Sequence, residues 1–229
     1  MTIGYENEGI FAIITSMTKN SGYTVQDRNI NEELYSYFLT HEEDDGWDDR
    51  DQHENYRLLF KLSEYSEKPF LNTSVLDVGC GTGDMAQFLR DLGVKKYTGI
   101  DIFPPAVMIA SEKFPYEKFI TGDFLTYKFC MKFDFVLCSG ALSTRLSSDN
   151  YEMLTSSIKK MWNLSKKGLA FNFLAEETPG EYEDDLFLYN IKRVLKICDE
   201  LAPGAKFKAK INRTGDRREY LQVHIYLYK

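Results

Sequence analysis

One stretch limits the possible folds more than any other: Val75-Leu76-Asp77-Val78, followed at once by Gly79-Cys80-Gly81-Thr82-Gly83-Asp84. The apolar and β-branched run predicts a buried strand. Beyond Gly83, residues Met85, Phe88, Leu89 and Leu92 recur at helical spacing, and Gly93 supplies a stop. A strand passing through glycines directly into a helix is the opening unit of a parallel α/β sheet. The glycines let backbone approach a ligand closely, and the helix N-terminus beyond them offers N–H donors and a positive dipole end. A nucleotide-like ligand at the C-terminal edge of the sheet is therefore expected. Alone, the glycines do not say which one, because Gly81 to Ala86 also satisfies the dinucleotide pattern Gly-x-Gly-x-x-Gly/Ala.

The rest of the chain repeats the alternation. Tyr97 to Ile102, Lys118 to Thr121, Phe133 to Cys138 and Leu169 to Leu174 read as strands. Helices are expected from Pro104-Pro105, whose fixed φ suits a first turn, over Asn150 to Leu164, and over Asp184 to Leu201 with Leu188, Ile191, Leu195 and Cys198 in one stripe. Trp162 falls in the core-facing part of the Asn150 helix, near Leu154, Ile158 and Met161. Pro203 and Gly204 end the last helix, and Lys206 to Asn212 and Tyr220 to Tyr228 form a terminal hairpin. The fold class that follows is α/β, a seven-stranded, mostly parallel sheet with helices on both faces and an antiparallel C-terminal strand. Residues 1–69 differ in kind, being polar and irregular, with helices expected over Ile30 to Leu39 and Asn55 to Tyr65. They read as an N-terminal helical cap or lid segment, and residues 70–229 as the ligand-binding domain. The acidic stretch His41 to Asp51 carries Trp47, an aromatic in a polar segment and a candidate substrate contact within the lid.

Asp101 ends the second strand 20 residues after Gly81, where a carboxylate can accept both hydroxyls of an adenosine ribose. Asp123 in Gly122-Asp123-Phe124 can accept from an adenine amino group while Phe124 covers the ring. Asp77 can orient an ammonium group. A carboxylate before the glycines favours adenosine with a zwitterionic tail over a pyrophosphate. Asp77 and Asp123 could each instead cap a turn, and Arg57 could be part of a solvated helix face. Cys80 reads as a small residue beside the ligand and not as a nucleophile, with no His nearby in sequence.

On these motifs, with Gly99-Ile100-Asp101-Ile102 as the second and Phe133 to Gly140 as the fourth, the chain resembles the class I S-adenosylmethionine-dependent methyltransferases, Rossmann-like enzymes. The resemblance covers about Asn72 to Leu174 firmly and implies S-adenosyl-L-methionine as cofactor, with S-adenosyl-L-homocysteine as product. It also implies that the loop Gly79, Cys80, Gly81 to Gly83 passes under the methionine part and that Asp101 holds the ribose. Ile102 and Phe124 would then sandwich adenine, Ser139 line the methyl-donor pocket, and Tyr56 or Arg57 meet the cofactor carboxylate.

Charge and composition narrow the acceptor. A net charge of -7 argues against broad binding to a phosphate backbone. The basic run Lys206 to Arg218 reads as the solvated face of a strand and turn. Ser139-Gly140-Ala141-Leu142 departs from the Asn/Asp-Pro-Pro-aromatic signature of enzymes that methylate exocyclic amines of nucleic acid. A small-molecule acceptor is expected, with nucleic acid disfavoured and no membrane partner, because no apolar run nears the roughly 20 residues of a spanning helix. An RNA or protein methyltransferase, a non-catalytic S-adenosylmethionine-binding protein and, more distantly, an NAD-linked oxidoreductase are the alternatives. No secretion signal is expected, and four dispersed cysteines suit a reducing cytoplasm and no metal. His41, His53, Glu176 and Glu177 are candidate bases, His224 reads as structural, and the catalytic residue is left unassigned. Oligomeric state is not legible.

Overall fold

The computed structural model describes residues 26–27, 49–175, 185–214 and 220–229. In chain order the elements are α1 (Asp49–Ser66), β1 (Ser74–Val78), α2 (Asp84–Asp91), β2 (Lys96–Asp101), α3 (Pro104–Lys113), β3 (Lys118–Thr121), β4 (Phe133–Cys138), α4 (Asn150–Leu164), β5 (Ser165–Ala175), α5 (Ile191–Leu201), β6 (Lys206–Thr214) and β7 (Tyr220–Tyr228). They build a seven-stranded sheet in the order β3-β2-β1-β4-β5-β7-β6. β7 alone runs against the others, pairing antiparallel with both β5 and β6, as the sequence predicts.

Composition explains why the last strand inserts inside the one before it. β7 reads Tyr-Leu-Gln-Val-His-Ile-Tyr-Leu-Tyr, and Gln222 to Tyr228 are buried. A strand apolar on both faces has to lie within the sheet. β6 carries Lys206, Lys208 and Lys210 on alternate positions, and lysines on an edge strand oppose pairing with another chain. Phe207 and Ile211 on its other face are 38% and 51% exposed.

Two clusters cover the sheet. On one face α1 and α2 bury Leu59, Leu62, Met85 and Leu89 against Val75, Phe135, Ala170 and Tyr226. On the other, α4 and α5 bury Leu154, Ile158, Met161, Val194 and Cys198 against Leu76, Val136, Phe171 and Ile225. Each fully buried large aliphatic side chain is worth roughly 1.5–3 kcal/mol. Trp162 packs only partly against this core, with the Lys229 ammonium 4.5 Å above its ring.

Three expectations on element length need correction: β5 begins at Ser165, four residues before Leu169, and the other two concern helices. α1 begins six residues earlier than Asn55, at Asp49. The stripe expected over Asp184 to Leu201 forms a helix only from Ile191, because Asn190 caps it by accepting from the Arg193 N–H at 3.1 Å. The preceding residues are drawn into bridges, Thr144 with Leu186 and Ala175 with Tyr189. Leu188 is buried, but in this bridging segment. The helix expected over Ile30 to Leu39 lies outside the described residues.

Those bridges matter because they wall the loop after β4. The Tyr189 hydroxyl donates to the Leu142 carbonyl, the Leu174 N–H to the Ser143 hydroxyl, and the Asn150 amide to the Thr144 carbonyl. Asp27 completes the set. Its buried Oδ1 accepts from the Ser147 N–H at 2.6 Å, the Ser147 hydroxyl at 2.7 Å and the Ser148 N–H at 3.3 Å. Asp27→Ala is expected to lower the unfolding free energy by about 1–3 kcal/mol, read as a lower urea midpoint. An unchanged midpoint would show that this contact does not hold the loop.

Candidate active site

The turn from β1 into α2 is fastened to the neighbouring strand. The Gly79 and Cys80 N–H groups both donate to the Ile100 carbonyl, at 2.9 and 3.2 Å. The Gly81 N–H donates to Asp101 Oδ2 at 2.9 Å, and the Phe103 N–H to Oδ1 at 2.9 Å. One carboxylate therefore joins the glycine turn to the β2–α3 turn. Burial pushes the Asp101 carboxyl above its ordinary range, opposed by these N–H bonds. Since an ionised carboxylate has about four acceptor positions, capacity is left for two hydroxyl donors. Gly79 has φ 73, and a Cβ there would lie 2.3 Å from Ala141 Cβ, so no other residue fits the turn.

Asp101, Ile102 and Gly79 line a cavity of about 100 Å³ together with Gly122, Asp123 and Phe124 from the end of β3, Gly140 to Leu142 and Thr144 from the loop after β4, and Met153 and Ser157 of α4. Asp123 Oδ1 accepts from the Leu125 N–H at 2.8 Å, and Oδ2 from the Thr126 hydroxyl at 3.2 Å. The carboxylate thus caps the following turn and also faces the cavity, so the two readings of Asp123 are compatible. Lys160 of α4 holds that turn in place: its ammonium donates to the Leu125 and Tyr127 carbonyls at 3.0 and 2.7 Å and lies 5.1 Å from the Phe124 ring centroid. A second cavity shares Gly122 and Asp123 and continues along Thr126, Tyr127 and Lys128.

Behind the glycine turn lies a different environment. Asp77 is 1% exposed, its Oδ2 accepts the Tyr97 hydroxyl at 2.6 Å, and its Oδ1 has no partner. Burial raises its carboxyl to about 7, partly offset by the Tyr97 bond and reinforced by the charges of Asp101 and Asp84. Tyr56 of α1 is buried close by, edge-on to Phe88 at 5.4 Å, and adds to the upward shift of the Tyr97 phenol.

Of the residues singled out from sequence, Gly79, Asp101, Ile102, Asp123 and Phe124 meet at one cavity. Ser139 is half-buried just outside it, where Gly140 and Ala141 form the wall instead. Gly81 joins the site through its N–H to Asp101. The Cys80 sulfur packs toward β2, 2.7 Å from where a Gly99 Cβ would lie, and burial with nearby Asp77 and Asp101 pushes its thiol far up, so it is no nucleophile. Arg57 is exposed on α1, and Tyr56 is the residue of that pair near Asp77. His53 is exposed, its ring 4.7 Å from Phe88. Trp47, His41, Glu176 and Glu177 lie outside the described residues. Among the described residues no cluster of His, Cys, Asp and Glu could hold a metal.

Sequence reasoning missed Tyr97, Lys160 and Asn172. Tyr97 was findable, because Asp77 pairs with Gly99 and Tyr97 sits two residues earlier, on the same face. Lys160 gave no signal beyond a charge on a helix.

Comparison with known proteins agrees with this geometry. Residues 75–166 match the methyltransferase domain family. A demethylmenaquinone methyltransferase of Chlorobaculum tepidum is 32% identical over 97 residues, which is 41% of this chain and 37% of that relative. The chain thus spans little more than a third of that relative's length. The magnesium protoporphyrin IX methyltransferase ChlM of Synechocystis, solved with bound S-adenosylhomocysteine, is similar over 98% of this chain and 96% of its own, with 16% identity and TM-score 0.57. The N-methyltransferase NodS of Bradyrhizobium japonicum, also with S-adenosylhomocysteine, is similar over 86% of this chain and 98% of its own, with 17% identity and TM-score 0.62. Residues 75–166 match a methyltransferase domain and the sheet has the Rossmann-like methyltransferase fold, which together support the resemblance to the class I S-adenosylmethionine-dependent methyltransferases. S-adenosyl-L-methionine is the cofactor of that class, and no subfamily is assigned.

The unpaired Asp77 oxygen has a measurable consequence. A buried carboxyl with a folded pKa near 7, above its unfolded value, favours the folded state most in acid and loses that contribution as pH rises from about 4 to 7. Asp77→Asn should therefore melt progressively higher than the parent as pH rises through that window, with the gap constant above it. A gap independent of pH would mean that Asp77 is not strained by burial.

Proposed function

We propose that this chain transfers a methyl group from S-adenosyl-L-methionine to a small-molecule acceptor. One arrangement carries the reading: Asp101, Asp123 and Phe124 meet at one cavity, and a buried carboxylate, Asp77, sits behind the same glycine turn with an oxygen unpaired. An adenosine fits the first three, Asp101 accepting from the ribose hydroxyls and Ile102 and Phe124 flanking the base. An ammonium fits the last, and would bring the Asp77 carboxyl back toward its ordinary range. Pyrophosphate would meet negative charge instead. The packing of α1 on β5 and β7, and the Asp27 contact with Ser147 and Ser148, support a cap role for residues 1–69.

Bound there, the cofactor supplies a methyl group on a positively charged sulfur, already activated for displacement. The protein then has to hold an acceptor in line and exclude water. The Gly140 to Thr144 wall, fixed from β5, Tyr189 and Asn150, is rigid enough to do so. No described residue has to act as base for an acceptor that is already a nucleophile.

The small-molecule reading is supported by the acidic charge, the Ser139-Gly140-Ala141-Leu142 segment, and the activities of the similar proteins named above. A reducing cytoplasm is supported by the free, buried thiols of Cys80, Cys138 and Cys198. No described helix is long and apolar enough to cross a membrane.

Calorimetric titration with S-adenosylmethionine, S-adenosylhomocysteine and NAD tests the cofactor. Saturable binding of the first two alone is expected, and Asp101→Ala should weaken it by roughly 100- to 10,000-fold, given two charge-assisted hydrogen bonds of roughly 1.5–3 kcal/mol each. NAD binding alone would replace the reading with an oxidoreductase. A screen of acceptors with labelled cofactor separates the rest: turnover only on RNA or protein would overturn the acceptor class, and binding without turnover on any class would overturn the enzyme.

A further inference from the structure

Asn172 interrupts the apolar run of β5, and in register directly across from it on β7 stands His224. Both are 0% exposed. Asn172 Oδ1 accepts the Gly140 N–H at 2.7 Å, while its Nδ2 has no partner. His224 Nε2 lies 3.2 Å from Oδ1 of Asn55, a buried residue of α1, while its Nδ1 has no partner. Two orphaned polar atoms on facing residues are each costly to bury and call for a physical account.

We propose that Asn172, His224 and Asn55 are positioning residues, a neutral row that ties the Gly140 wall of the cavity to the covering helix α1. This inference rests on the cofactor reading only for what the cavity holds. The structure shows the two outer contacts of this row, and the middle step, from Asn172 Nδ2 toward His224 Nδ1, is the inferred one. An Asn55 oxygen at Nε2 requires the proton on Nε2, which leaves Nδ1 an acceptor, and across the strands it faces an amide donor of Asn172. The geometry thus selects one tautomer. A protonated ring would turn Nδ1 into a second donor against the Asn172 amide. Burial opposes that charge, and so does Lys210, which faces His224 from β6, together holding the imidazole at about 4. The neighbours from β5 and α1, Asn172 and Asn55, are uncharged. The effect of the row is to fix Gly140, whose φ is 73, relative to α1 where that helix packs on β5 and β7.

Nitrogen-15 NMR of the histidine-labelled full chain tests this, since only three histidines are present. One ring is expected in the Nε2–H form and neutral down to about pH 4. In Asn172→Asp its titration should rise by about two units, as a facing carboxylate favours the imidazolium. Asn172→Ala should weaken S-adenosylhomocysteine binding about tenfold while melting cooperatively. An Nδ1–H tautomer, a ring titrating near its ordinary value in the parent, or unchanged affinity in folded Asn172→Ala would each overturn the proposal. Should Asn172→Ala not fold, the tautomer and titration of the parent decide. A parent that binds no S-adenosylhomocysteine but shows the Nε2–H form refutes the cofactor reading and leaves the row standing.

Discussion

The carboxylate of Asp101 is the tie on which the site depends. A turn of three glycines in five residues has few side chains to hold its shape; the Gly79 and Cys80 N–H groups reach the Ile100 carbonyl and the Gly83 N–H the Cys80 carbonyl, which leaves the Gly81 N–H in need of a partner. Asp101 meets the Gly81 N–H and, with its other oxygen, the Phe103 N–H two residues beyond β2. The same group thus sets the distance between two crossover connections and stands at the mouth of the cavity. Structure and recognition are not separable at this residue, and the cost of burying the carboxylate is offset by the two amides that orient it.

The opposite wall is held by a different device. The loop after β4 runs from Ser139 to Asp149 between two regular elements, yet several of its polar groups are met by residues outside it: Asn172, Tyr189, Asn150 and Asp27. A loop so fastened behaves as part of the scaffold. Three of these four partners belong to elements that follow β4 in sequence, and the fourth to the segment that precedes α1. The loop is therefore held by residues from both before and after the central strands.

The fold was legible in sequence wherever period and punctuation agree. β3, β4 and α4 have the expected bounds because each is flanked by glycine, proline or a capping aspartate, as Asp149 is for α4. The stripe ahead of α5 misled for the opposite reason: its helical spacing is real, but Asn190 starts the helix late and Tyr189 is taken by a bridge to Ala175, which no local pattern encodes. In the site, the residues on the first two βα turns were legible because short-range geometry places them. Asn172 and His224 were not, since one reads as a blemish in a strand and the other as a buried histidine, and only the antiparallel register of β5 and β7 sets them face to face. Tyr97 and Lys160 likewise act across strands or layers.

Electrostatics at the start of α2 bears on why a glycine turn that also fits a dinucleotide pattern should select another ligand. A pyrophosphate would rest on the N-terminus of this helix, drawn by free amides and the dipole. Here the first helical residue is Asp84, whose nearest cation, Lys113, already pairs with it at 3.1 Å, and Asp77 lies buried beneath the same turn. At an effective dielectric near 20, a unit charge about 5 Å from a like charge is opposed by on the order of 3 kcal/mol, which exceeds the roughly 0.3–1 kcal/mol typical of a helix dipole. A dianionic group is therefore repelled where the backbone alone would attract it. A ligand end bearing an ammonium reverses the sign of the same interaction, and the buried oxygen of Asp77, costly without a partner, becomes the reason the site is specific.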